Sequence, residues 1–487
     1  MKPLATPEEM GAADRATIEA GTPFEVLMDR AGRAVARGVR DECGGTYGRR
    51  ALVVWGKGNN GGDGVVAARV LRTWGFRVET VQLDPGIDRA QFSRSLARAD
   101  VAIDAMFGTG FRGALTGDAA WVATTTAASS ASVVAIDIPS GVDGLTGATE
   151  GDAVRADRTV TFAAYKPGLW FEPGRGHAGT VTVADIGIDV SNLATGVTEE
   201  ADVAAWLPAR GRETHKWQVG GVMVVGGTTG MTGAPMFVSH AAMRAGAGIV
   251  WCGVPGEEAA AASSGTEVIT LALPSIPEGG LDARAAATVL RDLDRFRALV
   301  IGPGLGGNER TQDAVNQLVA DAPIPLVLDA DGLNALRGDL SSLRVRHSML
   351  TTPIVLTPHD GEYTRLVGEP PGADRVGAAR RLAQASDAVV LLKGSATVIA
   401  EPGPHGRVAV NPTGGPWLAT AGTGDVLSGI IGAFLARGMG AFEAAAAGAW
   451  VHGRAADRAG HTGMIAGDLI AAIPAALPAV PHQEAQS

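Results

Sequence analysis

Short apolar runs recur along this chain from residue 51 onward, each followed by a glycine-containing loop and then by a segment with helical spacing. The first repeat shows the pattern clearly. Ala51–Trp55 is apolar, Gly56–Gly64 is rich in glycine, and Val65–Trp74 repeats its large apolar residues at helical spacing before Gly75 ends the segment. Such alternation of strands and helices is typical of a parallel sheet with helices on both faces.

The same pattern predicts further strands in both halves of the chain. In the first half these are Arg77–Leu83, Val101–Ala105 and Val133–Ile138, and in the second half they are Val222–Val225, Ala298–Ile301, Pro325–Leu328, Ile354–Leu356 and Val389–Leu392. The pattern weakens between residues 190 and 212, where Ala201–Leu207 is predicted as a short helix that ends at Pro208. We therefore predict two α/β domains with a boundary near 208–213, a closing helix at 424–437 and a disordered tail at 478–487.

Composition and charge narrow the class of protein. The 487 residues exceed the roughly 250–300 at which one core usually stops growing, which supports two domains. A net charge of -10 argues against nonspecific binding of nucleic acid, because phosphate binding depends on clustered Lys and Arg. The two cysteines, Cys43 and Cys252, lie far apart, which fits a reducing compartment and excludes a cysteine-rich metal site. The first residues lack the apolar core of a signal peptide, and no run approaches the roughly 20 residues that span a bilayer, so we expect a cytoplasmic protein.

Three predicted strands of the first half lead into polar residues. The first runs into the loop Gly58–Gly64, the second ends in Asp104 before residues 107–113, and the third reaches Asp137. Ligands of open parallel sheets bind beyond the carboxyl ends of the strands, so we expect these ends to form one crevice. Glycines let the backbone approach an anion, and a helix start offers free N–H groups. Each feature also has a structural alternative, namely a tight turn for the loop, a helix cap for Asp63 and a structural role for a strand-end aspartate.

These residues resemble the NAD(P)H-hydrate epimerases over about residues 1–208, and the resemblance includes Glu9, Met10 and Asp14. It implies a Rossmann-like, doubly wound domain in which two loops and one aspartate bind the hydrated dinucleotide. The residues concerned are Asn59, Asn60, Gly61, Gly62, Asp63, Gly108, Thr109, Gly110, Phe111, Arg112, Gly113, Ala114 and Asp137.

The same resemblance implies a potassium ion held by Asn60, Asp104 and Ser140. Oxygen ligands with a single carboxylate suit a monovalent ion better than a transition metal. Epimerisation at the hydroxylated ring carbon needs acid–base help, and we predict that Asp137 provides it. Lys166 is a second candidate for this role, and its alternative is a solvated or structural lysine.

The most specific pattern of the second half is the segment Ala421–Asp425, with the sequence AGTGD, followed by apolar residues at helical spacing up to Gly438. A glycine turn that opens a buried helix forms a nest of backbone N–H groups for a transferred phosphoryl group. Asp425 lies at the mouth of that nest, where it can take a proton from an attacking hydroxyl. The alternative is that Asp425 is the N-cap of an ordinary core helix.

This half resembles the ribokinase-like superfamily and, more narrowly, the NAD(P)H-hydrate dehydratases across about residues 213–475. Several motifs occur in the family's order: GG at 226–227, GMTGA at 230–234, RAGAG at 244–248, GPGLG at 302–306, DAD at 329–331, TPH at 357–359 and KGSAT at 393–397. Asp360 stands where the family usually has Pro.

The second resemblance implies two groups of binding residues. The hydrate would contact Ala234, Gly304, His359 and Asp425, and ADP with magnesium would be bound by Lys393, Gly394, Ser395, Ala396, Thr397 and Gly424. Phosphorylation turns the hydroxyl of the hydrate into a good leaving group. Alternatively, His359 is a structural histidine at a loop edge whose hydrogen bonds are made within the protein. Asp329 and Asp331 have the alternative of a magnesium pair, although we favour separate structural roles for them.

Together the two halves predict a bifunctional repair enzyme that epimerises the R and S hydrates of NADH and NADPH and dehydrates the S form with ADP. We expect small-molecule substrates, a homo-oligomer, and no nucleic-acid or membrane partner. Two other functions remain open on the sequence. One is a vitamin-precursor kinase of the ribokinase-like type, which would leave a stable phosphate ester, and the other is an N-terminal half that binds ligand without catalysis.

Overall fold

The computed structural model describes residues 1–83, 86–209, 214–262 and 267–479. The chain forms two compact units, one comprising Lys2–Gly196 and the other comprising Val197–Ser487 together with Met1. Each unit is built around a largely parallel β-sheet with helices packed on it. The predicted two-domain α/β architecture is therefore confirmed.

The first unit contains a six-stranded parallel sheet. Its strands and the short N-terminal strand are β1 (Lys2–Pro3), β2 (Arg50–Trp55), β3 (Arg77–Gln82), β4 (Val101–Ala105), β5 (Ser132–Ile136), β6 (Arg158–Phe162) and β7 (Thr180–Ala184). The spatial order of the sheet is β3-β2-β4-β5-β6-β7. Its helices are α1 (Pro7–Glu19), α2 (Phe24–Glu42), α3 (Asn59–Thr73), α4 (Arg89–Leu96), α5 (Gly117–Ala127) and α6 (Gly174–Ala178).

Two apolar clusters lie on the two faces of this sheet, because its central strands are buried on both sides. Val53 and Ile103 face the cluster that includes α2 and α3, whereas Leu52 and Val54 face the cluster that includes α4 and α5. Strand β5 ends at Ile136, two residues before the predicted end. The reason is that Asp137 adopts a left-handed conformation with φ 64°, which turns the chain away from the sheet.

Within the described residues, the second unit has nine strands from β9 onward, and β8 (Thr195–Val197) spans the division between the units. These nine are β9 (Gly221–Val225), β10 (Ile249–Pro255), β11 (Ile269–Leu273), β12 (Ala298–Ile301), β13 (Leu326–Leu328), β14 (Ile354–Leu356), β15 (Val389–Leu392), β16 (Val398–Ala400) and β17 (Val408–Val410). They lie in the order β17-β16-β15-β14-β13-β12-β9-β10-β11. The pairs from β11 to β15 are parallel, and β16 pairs antiparallel with both of its neighbours.

The helices of the second unit cover this sheet. They are α7 (Glu200–Trp206), α8 (Lys216–Val219), α9 (Gly233–Arg244), α10 (Glu257–Ala262), α11 (Arg284–Asp292), α12 (Glu309–Asp321), α13 (Asp331–Asn334), α14 (Ser341–Leu350), α15 (Asp360–Val367), α16 (Arg375–Ser386), α17 (Thr423–Ala436), α18 (Ala441–Ala459) and α19 (Ala466–Ala476). Short 3₁₀ turns occur at Pro167–Leu169, Leu293–Arg295 and Pro416–Leu418. The prediction that the domain closes with one helix at 424–437 is wrong, because α18 and α19 follow it and complete the apolar core. Of the predicted tail, residues 480–487 lie outside the described residues.

The two compact units divide earlier than the boundary predicted near 208–213, part of which lies outside the described residues. The physical reason is α7, whose Val203, with Leu207 just after the helix, is buried in the core of the second unit. A short helix that contributes apolar side chains to one core folds with that core. None of the described helices has both the length and the apolar character that a bilayer crossing requires.

Candidate active sites

A cavity of about 910 Å³ opens in the first unit, at the carboxyl ends of its parallel strands. Its walls come from α1, the start of α2, the start of α3 and the segments after β4 and β5. Of the residues predicted to bind the hydrate, those that line this cavity are Asn59, Asn60, Asp63, Gly108, Thr109, Gly110, Phe111, Arg112 and Asp137. The structure thus brings together the three strand ends expected to form one crevice.

The glycine-rich segment is more helical than the sequence suggested, because α3 begins at Asn59 and not at Val65. The N-cap is Gly58, so the alternative that Asp63 caps this helix is wrong. A side chain on Gly61 would collide with the carbonyl oxygen of Gly56, and one on Gly62 would lie 2.6 Å from the Cε of Met28. These glycines let the helix pack closely on its surroundings.

Four predicted binding residues do not line the cavity: Gly61, Gly62, Gly113 and Ala114. Direct contact between these residues and a ligand stays a prediction. The neighbouring loop is shaped in part by Arg112, which donates hydrogen bonds to the carbonyl oxygens of Thr109 and Phe111 and forms an ion pair of 3.2 Å with Asp143. These contacts hold the 108–112 loop against the cavity.

The predicted potassium ligands lie in one polar cluster beside the cavity. Ser140 donates its hydroxyl to Asp104 at 2.7 Å and its backbone N–H to the same carboxyl at 2.8 Å. The Ser140 hydroxyl accepts the backbone N–H of Phe107, and Asn60 donates its side-chain amide to the carbonyl oxygen of Phe107 at 3.0 Å. Burial raises the pKa of Asp104 to about 6, against the opposing hydrogen bonds from Ser140 and Met106.

Asp137 forms an ion pair with Lys166, whose amine lies 2.8 Å from the carboxylate. Lys166 is fully buried, and it also donates to the hydroxyl of Thr161 and to the carbonyl oxygens of Phe162 and Ala164. Thr161 in turn donates to Asp137 at 2.8 Å. The alternative of a solvated lysine is therefore wrong, and Lys166 is part of the wall of the cavity.

Two more carboxyls, Asp14 and Asp63, line the same cavity. Burial, reinforced by the charges of Asp137 and Asp14, raises the pKa of Asp63 to about 8. Burial also raises the pKa of Asp14, although Lys166 opposes the shift. In the sequence, only the family resemblance pointed to Asp14. A lone aspartate on an amphipathic helix is usually a surface residue.

In the second unit the predicted glycine turn opens α17. The N-cap is Gly422 in a left-handed conformation with φ 89°, and Asp425 is the third residue of the helix. The alternative that Asp425 is an ordinary N-cap is therefore wrong. A side chain on Gly422 would lie 2.8 Å from the ring of Phe237. The turn is therefore both left-handed and closely packed, which explains its glycine.

A cluster of four charged side chains lies beside this turn. The Lys393 amine lies 2.9 Å from Asp329 and 3.6 Å from Glu362, and Ser428 donates to the other oxygen of Asp329 at 2.7 Å. Burial alone would raise the pKa of Asp329, but Lys393 and the hydrogen bonds outweigh it and lower the pKa. Burial and the charge of Asp329 raise the pKa of Asp425 to about 7, partly opposed by Lys393. A carboxyl with this pKa can accept a proton near neutral pH.

His359 is the N-cap of α15 and accepts the backbone N–H of Gly361 at its Nδ1 over 2.9 Å. Its side chain is half exposed. Glu362 was not predicted from the sequence. Its carboxylate accepts the backbone N–H of His359 at 2.8 Å. The spacing in the sequence could have revealed Glu362, because a glutamate three residues after the N-cap is the second half of a capping box.

The predicted nucleotide segment 393–397 follows β15. Arg375, also missed in sequence, donates to the carbonyl oxygen of Lys393 at 2.7 Å and forms an ion pair of 2.9 Å with Asp360. A side chain on Gly394 would lie 2.5 Å from the Arg375 guanidinium, and one on Gly424 would lie 3.7 Å from the Lys393 amine. Lys393 and Gly424 are therefore neighbours. Of the remaining predicted residues in this segment, Ser395 is exposed, Ala396 is buried and Thr397 is partly buried.

Ala234 and Gly304 are also neighbours. Gly304 has φ 71°, and a side chain on it would lie 3.3 Å from the Cβ of Ala234. Ala234 is in the first turn of α9, which packs along α17 where Gly429 meets Val238. The pair therefore lies at the start of α9, the helix that packs along α17.

Asp329 and Asp331 have different partners. Asp329 faces Lys393 and Ser428, whereas Asp331 accepts the backbone N–H of Gly306 at 2.8 Å and the side-chain amide of Asn334 at 3.1 Å. His452 lies behind the turn and contacts the carbonyl oxygen of Thr423 at 2.8 Å. Burial lowers the pKa of His452 to about 4.

Comparison with known proteins agrees with this division of the chain. The family described as NAD(P)H-hydrate dehydratase matches residues 222–477. The family described as YjeF-related protein N-terminus matches residues 24–92 and 85–168.

Whole-length relatives share this arrangement. The chain is 41% identical to the bifunctional NAD(P)H-hydrate repair enzyme Nnr of Moorella thermoacetica, over 97% of this chain and 96% of that protein. It is 40% identical to the enzyme of the same name from Mycobacterium tuberculosis, over 89% of each chain. A crystal structure of the ADP/ATP-dependent NAD(P)H-hydrate dehydratase from Bacillus subtilis, co-crystallised with ATP and Mg²⁺, is 30% identical with a TM-score of 0.50, covering 57% of this chain and 96% of that one. The chain belongs to the bifunctional NAD(P)H-hydrate repair enzymes, which join an epimerase domain to an ADP-dependent dehydratase domain.

Proposed function

We propose that the cavity of the first unit epimerises the hydrates of NADH and NADPH, and that the glycine turn of the second unit dehydrates the S form with ADP. The observation that carries the second assignment is the group of Asp425, Lys393, Asp329 and Glu362 at the start of α17. A base, a cation and free helix N–H groups are the parts that phosphoryl transfer requires.

In the dehydratase reaction, Asp425 takes the proton of the hydrate hydroxyl while that oxygen attacks the terminal phosphorus of ADP. The bond from phosphorus to the bridging oxygen breaks and AMP leaves. The phosphorylated hydroxyl then departs as phosphate when the ring loses a proton, which restores NAD(P)H. Lys393, together with the N–H groups of Gly424 and its neighbours, offsets the negative charge on the phosphoryl oxygens.

Two features favour a nucleotide beside Lys393. Asp329 and Glu362 outweigh the burial of the Lys393 amine and raise its pKa, so this lysine is charged when the nucleotide arrives. The relative from Bacillus subtilis was co-crystallised with ATP and Mg²⁺. We assign ADP to Lys393–Thr397 and Gly424, and the hydrate to Ala234, Gly304, His359 and Asp425.

Magnesium would enter bound to the nucleotide. Within the part of the chain that the structure describes, no group of three or more His, Cys, Asp or Glu side chains could hold a metal ion. Mg²⁺ is often bound by substrate phosphates and one or two carboxylates, so this finding fits a nucleotide-borne ion. Asp425 is the acidic residue in the first turn of α17.

For the first unit we assign Asn59–Asp63, Gly108–Ala114 and Asp137 to the hydrate, and Asn60, Asp104 and Ser140 to potassium. The donor set fits a monovalent cation, because it combines one carboxylate with hydroxyl, amide and Phe107 carbonyl oxygens. A bound potassium ion would supply positive charge close to the pyrophosphate. Asp104 and Ser140 are already held together, so the chain positions these oxygens itself.

We further propose that the protein works in the cytoplasm as a homo-oligomer, with small-molecule substrates and no nucleic-acid or membrane partner. The net charge of -10 supports the absence of a nucleic-acid partner. Chromatography with light scattering measures the oligomeric state directly.

The test of the proposed activities uses a mixture of R and S NADH hydrate, followed at the absorbance band of reduced nicotinamide, with ADP and Mg²⁺ and then with ATP and Mg²⁺. Complete recovery of NADH is expected, because the epimerase converts the R form as the S form is consumed. A stop near half recovery would contradict epimerisation. A stable phosphorylated product would instead support a kinase.

A further inference from the structure

Three carboxyls face the epimerase cavity, and their surroundings differ. Asp137 accepts hydrogen bonds from Lys166 and Thr161. In the part of the chain that the structure describes, no group donates a hydrogen bond to the side chain of Asp63 or Asp14. Asp63 is buried in the second turn of α3, and Asp14 lies on α1. The cavity therefore combines one carboxylate held by a cation with two carboxyls that lack such support.

A carboxyl with apolar surroundings and negative neighbours favours its protonated form. Asp63 meets both conditions, since it is buried and the charges of Asp137 and Asp14 act on it. Lys166 also lines the cavity and forms an ion pair with Asp137. The other charged side chains of the lining are Arg15, Lys57 and Arg112. Two carboxyls with contrasting surroundings can divide the roles of acid and base between them.

We propose that Asp63 is the proton donor of the epimerase and Asp137 the proton acceptor, and that Asp14 acts on Asp63 as a negative neighbour. This proposal rests on the proposed epimerase function and assigns a role that Asp137 alone cannot fill. Asp137 accepts hydrogen bonds from the Lys166 amine and the Thr161 hydroxyl, so its oxygens are already placed as acceptors. Asp104 is unsuited as the donor, because it is fully buried and bound to Ser140.

The Asp63 carboxyl gives its proton to the hydroxyl on the ring carbon, and the bond from carbon to oxygen breaks with its electron pair leaving on water. The lone pair of the adjacent ring nitrogen fills the vacancy on carbon. Water then adds to the opposite face of the ring, and Asp137 accepts the proton it loses. The proton then returns from Asp137 through cavity water to Asp63, which restores the starting state.

The test measures the interconversion of purified R and S hydrates by chromatography, using the full chain. Asp63→Asn is expected to lower kcat of epimerisation about 100-fold or more with little change in KM, since an amide fills the same space without an acidic proton. Asp63→Glu keeps a carboxyl and is expected to recover part of the loss. Asp41→Asn, an exposed carboxyl on α2, is the matched control and is expected to behave as the unchanged protein.

The pH profile separates an acid from a residue that only shapes the cavity. Epimerisation by the unchanged protein is expected to fall as pH rises past about 8, since Asp63 must be protonated to act. Asp14→Asn removes a negative neighbour, so the falling limb is expected to move to lower pH. Dehydration of the S hydrate reports in each variant on the integrity of the second unit, and circular dichroism reports on the folding of the whole chain.

The outcomes distinguish this proposal from the one on which it rests. If the unchanged protein does not interconvert the hydrates, the epimerase function itself fails. If it does so and Asp137→Asn abolishes the reaction while Asp63→Asn keeps more than a third of kcat, the donor role of Asp63 is wrong. A rise in KM alone in Asp63→Asn, or a falling limb that does not move in Asp14→Asn, also overturns the proposal.

Discussion

Both units place a lysine beside an aspartate at the carboxyl ends of parallel strands, but the two lysines are held differently. Lys166 is enclosed by Asp137, Thr161 and two backbone carbonyl oxygens, which leaves no open position for a ligand. Lys393 contacts Asp329 at 2.9 Å and Glu362 at the longer distance of 3.6 Å, and it faces the first turn of α17. The same pair of residue types thus orients a carboxylate in one site and presents a cation to phosphate in the other.

The largest expected effect comes from removing the base of the second site. Asp425→Asn is expected to lower dehydratase kcat by about 100- to 10,000-fold, because an amide cannot accept the hydroxyl proton. Epimerisation of R and S hydrates by the same chain is expected to continue. Both rates are measured on one preparation, with the exposed Asp457→Asn as the control. Equal loss of both activities would contradict the assignment of the two reactions to separate sites.

The next effect concerns the enclosed lysine. Lys166→Met keeps the apolar stem but leaves Asp137 without its counter-ion, and removal of one partner of a buried pair is expected to cost about 3 kcal/mol or more. Urea unfolding followed by tryptophan fluorescence measures the change in the free energy of unfolding. Lys57→Met, at an exposed position of the same cavity, is expected to change it by about 0.5 kcal/mol or less. An unchanged midpoint in Lys166→Met would mean that the ion pair is not stabilising.

A smaller effect is expected from Glu362→Gln, which keeps the capping contact with His359 but removes one negative charge beside Asp425. The dehydratase base acts in its ionised form, so activity rises with pH through its pKa of about 7. Without the Glu362 charge this limb is expected to move to lower pH. The profile of kcat against pH measures it, and the exposed Glu309→Gln is the control. A shift to higher pH would contradict the electrostatic account.

The smallest effect is expected from Asp360→Pro, which introduces the residue the family usually has at this position. Asp360 is the first residue of α15, where Pro is well tolerated, and His359 before it is already extended. The change removes the ion pair with Arg375, which is partly exposed and therefore worth little. Stability is expected to change by less than about 1 kcal/mol, measured by thermal unfolding. A larger loss would show that Asp360 holds Arg375 over Gly394.

Much of the fold was predictable from sequence because apolar strands between glycine turns leave a clear pattern. Strands β4, β12, β14 and β15 were predicted with the bounds that the structure gives. The last two helices were missed, because α18 is rich in alanine and buried on many sides, so it lacks the one-sided apolar stripe that marks a surface helix.

The lining of the candidate sites was predictable at the end of a strand or the start of a helix, as at Asp137 and Asp425. Residues that act through contacts across the fold were not. Glu362 and Arg375 become part of the second site only because α15 and α16 carry them to Lys393. The glycines at 61 and 62 are ambiguous in sequence, because their packing against Gly56 and Met28 has the same signature as a ligand loop, and their contact with a ligand stays a prediction.

The enclosure of Lys166 has a chemical consequence. A lysine amine attacks acylating agents and sugars only when the reagent can reach it, and this amine is buried and contacts four protein oxygens. The sequence has only five lysines, so few amines compete for such reagents. Acylation at Lys166 would therefore record that the first unit has opened, and its absence would mark molecules whose epimerase site has stayed folded.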